Sequence, residues 1–232
     1  MQAQEGLTLI NRSAFMKYQP ALILLVVALS LFSVLTIPHL DERDSLLIRS
    51  LPLLALWFIA LSFLRGFGQS LICLGLLFFT SGAFFRILLQ DGALLAWASV
   101  IFMGAFCYSV CFYRYAQWRI SNIVLFIPII IIFFFSQAWV TPKYNVLVPA
   151  MWALALAQAN TVFAAAMHQK PSLLIYLGSL CGLIVLALFG LANNGSLPSD
   201  SIALVILPFY LSQGLIVFGY IHFQHAYYKE SE

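Results

Sequence analysis

Long apolar runs are the feature of this sequence that most constrains its fold. A helix crosses the roughly 30 Å hydrocarbon core of a bilayer with about 20 consecutive apolar residues, and only helices and closed barrels can span that core. Eight runs of about this length occur along the chain, separated by short polar or charged segments. They are Pro20 to Pro38, Leu46 to Leu64, Ser70 to Phe85, Gly92 to Tyr113, Ile120 to Val140, Asn145 to Met167, Pro171 to Ala192 and Ser201 to Ile221. The pattern predicts an all-α protein, a polytopic integral membrane bundle of eight transmembrane helices.

The segments between the runs are too short to hold a separate soluble domain. We therefore predict a cytoplasmic N-terminal segment at residues 1–19, one eight-helix membrane domain at residues 20–221 and a cytoplasmic tail at residues 222–232. The composition agrees with this organisation. Hydrophobic residues make up 63% of the chain and charged residues 8%, against about 45–50% and about 25% in soluble domains.

The charged residues indicate the partners and the orientation of the chain. With 11 Lys and Arg against 8 Asp and Glu the net charge is only +3, and no basic cluster of the kind that binds a phosphate backbone is present, which argues against nucleic-acid binding. Lys and Arg are enriched in cytoplasmic loops. With both termini in the cytoplasm, the basic residues on that side are Arg12, Lys17, Arg65, Arg114, Arg119, Lys170 and Lys229, and those outside are Arg43, Arg86 and Lys143. We predict a multi-pass protein of a bacterial inner (plasma) membrane with both termini cytoplasmic.

The four cysteines give no sign of a metal or cofactor site. Cys73, Cys107, Cys111 and Cys181 all lie in apolar runs, without a C-x-x-C pair and without a histidine at zinc-ligand spacing. We interpret them as small buried hydrophobic residues and predict neither a metal nor a cofactor.

A weak internal repeat relates the two halves of the chain. LGLLFFTSGAFFRILL, which begins at Leu74, resembles LGSLCGLIVLALFGLA, which begins at Leu177, and each is followed by a short polar loop and an aromatic-rich span. These are spans three and four, and spans seven and eight, so the similarity predicts a 4+4 repeat. The alternative is the chance likeness of any two spans rich in Leu, Gly and Phe.

Polar side chains inside the predicted bilayer are the candidate functional residues, because such groups are costly in hydrocarbon unless they face the bundle interior. Arg49, in the string IRSLPLL, is the one formal charge inside a run. It either snorkels to the headgroup region or forms a guanidinium site for a lipid phosphate at a cavity mouth. Tyr108, Tyr210 and Gln213 also lie inside runs, where they either bond across helices or line a pocket.

All eight acidic residues lie outside the apolar runs, in the tails and loops. A proton-driven transporter would normally carry a carboxylate within the membrane, and a hydrolase that uses paired carboxylates for acid and base catalysis would do so as well. The absence of such a group weighs against both classes. Serine hydrolase chemistry is disfavoured too, since the chain has no G-x-S-x-G elbow.

The order of the spans, together with IRSLPLL, LGLLFFTSGAFFRILL, MGAFCYSVCF and LPFYLSQGLI, resembles the YhhN-like lysoplasmalogenase family of eight-span membrane proteins. The resemblance covers about Leu46 to Tyr220. It implies a hydrolase that cleaves the vinyl ether bond of lysoplasmalogens and releases a fatty aldehyde. The positions that match the family pattern are Arg49 with Pro52, Tyr108 at the end of the H-x-x-Y stretch, and Tyr210 with Gln213 in the last span.

The chain departs from the family pattern at its most characteristic positions. Gly82 is followed by Ala83 where the family has Gly-Asp, Ala105 stands in place of the histidine of H-x-x-Y, and Leu186 follows Val185 where many members have Ser-Asp. Cleavage of a vinyl ether requires a positioned general acid and a group that stabilises the oxocarbenium ion. Alanine and leucine supply neither function.

Three hypotheses follow from the sequence. The first is an active, divergent lysoplasmalogenase in which Arg49 holds the phosphate, Tyr108, Tyr210 and Gln213 line the headgroup pocket, and Asp91 is the nearest carboxylate available for catalysis. The second is a catalytically silent relative that binds a membrane lipid or lysophospholipid and acts as a binding or regulatory protein. The third is a small-solute transporter or an accessory subunit. The sequence is silent on headgroup preference and oligomeric state.

Overall fold

The computed structural model describes residues 2–40, 42–88, 93–117, 123–135, 148–167, 172–192 and 202–230. Its helices are α1 (Gln2–Thr36), α2 (Glu42–Phe63), α3 (Gly66–Leu88), α4 (Ala93–Tyr113), α5 (Ile123–Phe135), α6 (Val148–Ala166), α7 (Ser172–Ala192) and α8 (Ile202–Glu230), and a short 3-10 helix, Ile37–His39, follows α1. Apart from one isolated bridge between Ala116 and Met167, the residues described contain no β-structure. The all-helical prediction is confirmed for this part of the chain.

Each predicted apolar run overlaps one of these helices, and among the described residues three helices are long and apolar enough to cross a membrane. The three candidate spans are Ala14–Thr36 in α1, Ala96–Tyr113 in α4 and Val205–Tyr227 in α8. Shorter apolar stretches lie in four other helices, at Leu47–Phe63, Gly66–Gly82, Trp152–Ala166 and Leu173–Phe189. Over the residues described, the structure is therefore a helical bundle with three helices of membrane-spanning length and composition.

Helices α2 and α3 begin four residues before their predicted runs, and the first and last helices extend further beyond theirs. Helix α1 begins at Gln2 and continues through Pro20 without a break, and α8 continues to Glu230. Residues 2–19 and 222–230 are thus helical extensions of the first and last predicted spans. Proline often marks a helix boundary, but α1 passes through Pro20, where the first predicted run begins.

Six of the helices pack in a ring. Around the ring, α2 packs on α3, α3 on α4, α4 on α6, α6 on α7, α7 on α8, and α8 returns to α2. Helix α1 packs against α2 and α8, and α5 packs against α6 and α7. Only 17% of the candidate span in α1 is buried, against 50% in α4 and 56% in α8, so α1 lies at the periphery.

Ring helices that follow one another directly in the chain run antiparallel. They approach closely at glycines. In the α3–α4 pair, a Cβ on Gly75 would meet the Tyr108 ring, and a Cβ on Gly104 would meet the Phe79 ring. In the α7–α8 pair, a Cβ on Gly178 would lie 2.8 Å from the Ile216 side chain. Small residues of this kind let helix backbones come together, which is the common packing mode of helices in membranes.

The two remaining contacts of the ring join helices that run parallel. Between α4 and α6, Ser109 bonds to Asn160, and further along both helices the backbone N–H of Gln117 donates to the Ala166 carbonyl at 2.7 Å. The hydrogen bonds between α8 and α2 also advance in the same direction along both helices, so this pair is parallel too. The ring therefore consists of two sets of three antiparallel helices, α2 to α4 and α6 to α8, which are joined to each other by the two parallel contacts.

A tight turn between α2 and α3 is held by α8. Gly66 has a φ of 65°, in the left-handed region that glycine adopts without strain. The Gln224 side chain caps this turn, because its Nε2 donates to the Arg65 carbonyl at 2.6 Å and its Oε1 accepts from the Arg65 backbone N–H at 3.0 Å.

The charged side chains whose placement is described lie toward the two ends of the bundle. Arg65 and Arg114 follow the last turns of α2 and α4. Lys17 lies at the same end, since its neighbour Gln19 hydrogen-bonds to His222 near the end of α8 at 3.0 Å. This end is called the basic end below. Arg49, near the start of α2, lies toward the other end.

Candidate functional site

Arg49 lies where three helices meet. The Tyr210 hydroxyl of α8 donates to the Arg49 backbone carbonyl at 2.8 Å, and Ser33 Oγ of α1 lies 3.1 Å from that hydroxyl. A tyrosine hydroxyl has a single proton to donate, so Ser33 is the donor in the second bond. Ser33 and Tyr210 are buried, whereas Arg49 is half-buried. The arrangement fixes the backbone from which the guanidinium group extends.

Tyr108 and Gln213 form a second polar pair, one helical turn further along α8. The Tyr108 hydroxyl donates to Gln213 Oε1 at 2.8 Å, and both side chains are buried. The bond crosses the interior of the ring from α4 to α8. Because Oε1 is engaged with the tyrosine, the two N–H donors of Nε2 are the part of the amide available to other groups.

Helix α8 brings the two pairs together. Tyr210 and Gln213 are three residues apart, which places them on neighbouring turns of one helix. Phe79 packs beside Tyr108, with ring centroids 5.4 Å apart, and beside Phe209, the residue before Tyr210, with ring centroids 5.8 Å apart. The structure thus gathers the four predicted binding residues, Arg49, Tyr108, Tyr210 and Gln213. Their role in binding a ligand stays a prediction.

A third polar contact lies at the position where the family pattern has histidine. Asn160 Nδ2 donates to the Ala105 carbonyl at 3.0 Å, and the Ser109 hydroxyl donates to Asn160 Oδ1 at 2.8 Å. These groups are buried and join α4 to α6. The contact satisfies polar groups within the bundle, so its role in the structure is packing.

Acidic side chains are the groups that acid catalysis would need. Within the helices described, the acidic residues Glu5, Glu42, Asp44 and Glu230 lie near helix ends. Asp91, the predicted candidate acid, lies outside the described residues. At two positions where the family pattern has ionisable residues, Ala105 is buried and Leu186 is half-buried, and their side chains have no proton to donate.

The cysteines are free thiols. Cys73, Cys107 and Cys111 are buried, and Cys181 is partly buried. Of the residues with described placement, no group of three or more His, Cys, Asp or Glu side chains is arranged to hold a metal ion.

Trp57 Nε1 in α2 and Ser179 Oγ in α7 are buried polar atoms that have no hydrogen-bond partner. Ser179 is 4% exposed. Nothing in the sequence distinguishes Ser179, since serine is common in helices that pack closely through small residues. A buried hydroxyl that leaves its bond unmade costs roughly 1–3 kcal/mol, so this position needs an explanation.

The Tyr108–Gln213 bond should be measurable as a coupled contribution to stability. Tyr108→Phe leaves Gln213 Oε1 buried without its donor and should lower the free energy of unfolding by about 1–3 kcal/mol. The double variant Tyr108→Phe/Gln213→Leu removes both partners and should be less destabilised than the sum of the single variants. Denaturant unfolding of the four proteins in detergent gives the coupling energy. Additive effects would show that the pair does not interact in the folded protein.

No protein-family model, curated protein or solved structure matches this chain. The likeness to YhhN-like lysoplasmalogenases therefore stays a prediction from the sequence.

Proposed function

We propose that this chain is a multi-pass membrane protein in which the eight helices cross the bilayer with both termini in the cytoplasm. Three helices of sufficient length and apolarity support the membrane assignment. The shared position of Lys17, Arg65 and Arg114 at the basic end supports the orientation, because cytoplasmic ends are enriched in such residues.

The packing also supports the proposed 4+4 repeat. The contacts of α2 with α3, α3 with α4 and α4 with α6 have counterparts in α6 with α7, α7 with α8 and α8 with α2. Gly75 and Gly178 are the second residues of the two similar strings, and each lies against its partner helix. Under this proposal α4 and α8 are equivalent helices, and the Tyr108–Gln213 bond joins them across the centre of the ring.

The ligand that the site fits best is a single-chain phospholipid. The observation that carries this proposal is the position of Arg49, a half-buried arginine toward the end of the bundle opposite the basic end, whose backbone carbonyl accepts a bond from Tyr210. A guanidinium presents several N–H donors in a plane and binds phosphate oxygens in pairs. A phosphate held there would leave the acyl or alkenyl chain among the apolar helices.

We propose binding without hydrolysis. The polar side chains nearest to Arg49 already have hydrogen-bond partners, since Tyr210 of α8 donates to the backbone of α2 and Tyr108 of α4 donates to Gln213 of α8. Ala83, Ala105 and Leu186 occupy the positions at which the family carries ionisable residues. Without a general acid the vinyl ether would not be protonated. The protein would then retain the lipid and act in binding or regulation.

A titration with two ligands tests the proposal. The purified protein in detergent is titrated with a choline lysophospholipid and with the fatty alcohol of the same chain length, which lacks the phosphate. We expect saturable binding of the lysophospholipid and weaker binding of the alcohol, because only the first offers a charge to Arg49. Equal affinity for the two ligands, or no saturable binding of the lysophospholipid, would contradict the proposed phosphate site.

A further inference from the structure

Ser179 and Gln213 lie on the same side of the α7–α8 contact. The Ser212 hydroxyl donates to the Gly178 carbonyl at 2.7 Å, so these two residues face each other across the interface. Ser179 and Gln213 are the residues that follow them. Successive residues rotate by about 100° around a helix, and in an antiparallel pair the two rotations bring both following residues to one side.

That side is the interior of the ring, and the two residues are at the same level. Gln213 faces α4, because its Oε1 accepts the bond from Tyr108. Gly178 lies against both Ser212 and Ile216, which sets the next residue of α7, Ser179, level with Gln213. Both side chains are buried.

The hydrogen-bonding groups at this position are neutral, and only some of them have a partner within the protein. Ser179 Oγ can donate one bond and accept others, and it has no partner. Gln213 has its carbonyl engaged with Tyr108, which leaves its Nε2 donors for another acceptor. An anionic group buried here would need a countercharge, and the charged side chains whose placement is described lie toward the ends of the bundle. A neutral hydroxyl, which donates and accepts at once, matches these groups.

We infer that Ser179 and Gln213 form a binding site for the glycerol hydroxyl of a single-chain lipid, a site that rests on the proposed function and adds a second, uncharged contact to it. Arg49 then recognises the phosphate, and the interior face between α7 and α8 recognises the glycerol. A lipid with glycerol but no phosphate should bind through this second contact alone.

The test uses hexadecyl glycerol ether, a neutral lipid with free hydroxyls, in amine-oxide micelles, which carry neither hydroxyl nor phosphate groups. Ser179→Ala should weaken binding of this lipid by about 2- to 10-fold, the equivalent of one neutral hydrogen bond. Arg49→Ala should leave its affinity unchanged. The matched control is Ser30→Ala, which also removes a buried serine hydroxyl, but one that already donates to the Val26 carbonyl of its own helix at 2.7 Å.

A stability measurement separates a ligand contact from a structural role. Because Ser179 Oγ makes no bond in the folded chain, Ser179→Ala should leave the midpoint of unfolding without lipid unchanged or raise it, since the variant removes a buried hydroxyl that has no partner. A clear loss of stability would show that the hydroxyl is bonded within the protein and would overturn the inference.

The two proposals fail in different ways. If Ser179→Ala binds the glycerol ether as tightly as the wild type while Arg49→Ala still weakens lysophospholipid binding, the glycerol site is wrong and the phosphate site stands. If the wild type binds the glycerol ether but Arg49→Ala has no effect on lysophospholipid, the phosphate site is wrong. Absence of binding by the wild type to either lipid overturns both.

Discussion

Replacing Gly178 with alanine should lower the free energy of unfolding by about 1–3 kcal/mol, the usual cost of overpacking a close contact. A Cβ at this position would lie 2.8 Å from the Ser212 carbonyl oxygen and 2.9 Å from the Ile216 backbone nitrogen. These are backbone atoms of α8, which cannot rotate away as a side chain can. The two helices would have to separate, which would also stretch the bond from Ser212 to the Gly178 carbonyl.

Gly214→Ala is the matched control, because Gly214 is also inside a helix of the ring. A Cβ there would meet nothing within 4 Å. Alanine favours the helix over glycine by about 0.5–1 kcal/mol, so this variant should be as stable as the wild type or more stable. Unfolding of both variants in the same detergent compares them directly. Equal stability of the two variants would mean that α7 and α8 are not as close as the structure has them.

Arg49→Ala should weaken binding of a choline lysophospholipid by about 10- to 150-fold, which corresponds to the roughly 1.5–3 kcal/mol of a hydrogen bond to a charged group. Arg49→Lys keeps the charge but loses the planar set of donors, so its affinity should fall between those of the alanine variant and the wild type. Competition against a labelled lysophospholipid measures all three proteins under one condition.

Arg65→Ala provides the control for this series. Arg65 is an exposed arginine at the basic end, and the contacts of this residue with Gln224 use its backbone N–H and carbonyl. Removing its side chain changes the net charge as Arg49→Ala does, but leaves the proposed phosphate site intact. If the two alanine variants weaken binding equally, the effect is one of overall charge and not of a site at Arg49.

The helices of this bundle could be predicted from the sequence, and their lateral arrangement could not. Apolar runs of about bilayer length specify helices because the backbone must satisfy its own hydrogen bonds in hydrocarbon. Helix α4 is apolar on all sides, from Ala93 to Tyr113, so its sequence does not indicate which face meets a neighbour. The bond between Tyr108 and Gln213 joins residues 105 positions apart, and no local pattern predicts it.

In the candidate site, too, some features could be predicted from the sequence and others could not. Tyr210 and Gln213 lie in one short string, and a spacing of three residues is enough to place them on neighbouring turns of a helix. Ser179 gave no such signal. A serine in an apolar helix often bonds to a carbonyl of its own helix, as Ser30 does, and only the packing of α7 against α8 distinguishes a hydroxyl that is left without a partner.

The most direct test of lipid binding without hydrolysis is to incubate the purified wild-type protein with a lysoplasmalogen and to analyse both the bound lipid and the products by mass spectrometry. An active lysoplasmalogenase in the same detergent serves as the positive control, and micelles without protein serve as the blank. The proposed function predicts intact lysoplasmalogen bound to the protein in a fixed ratio, with no fatty aldehyde above the blank. Release of aldehyde by the wild type would contradict the account and would show that hydrolysis proceeds without aspartate or histidine at Ala83, Ala105 and Leu186.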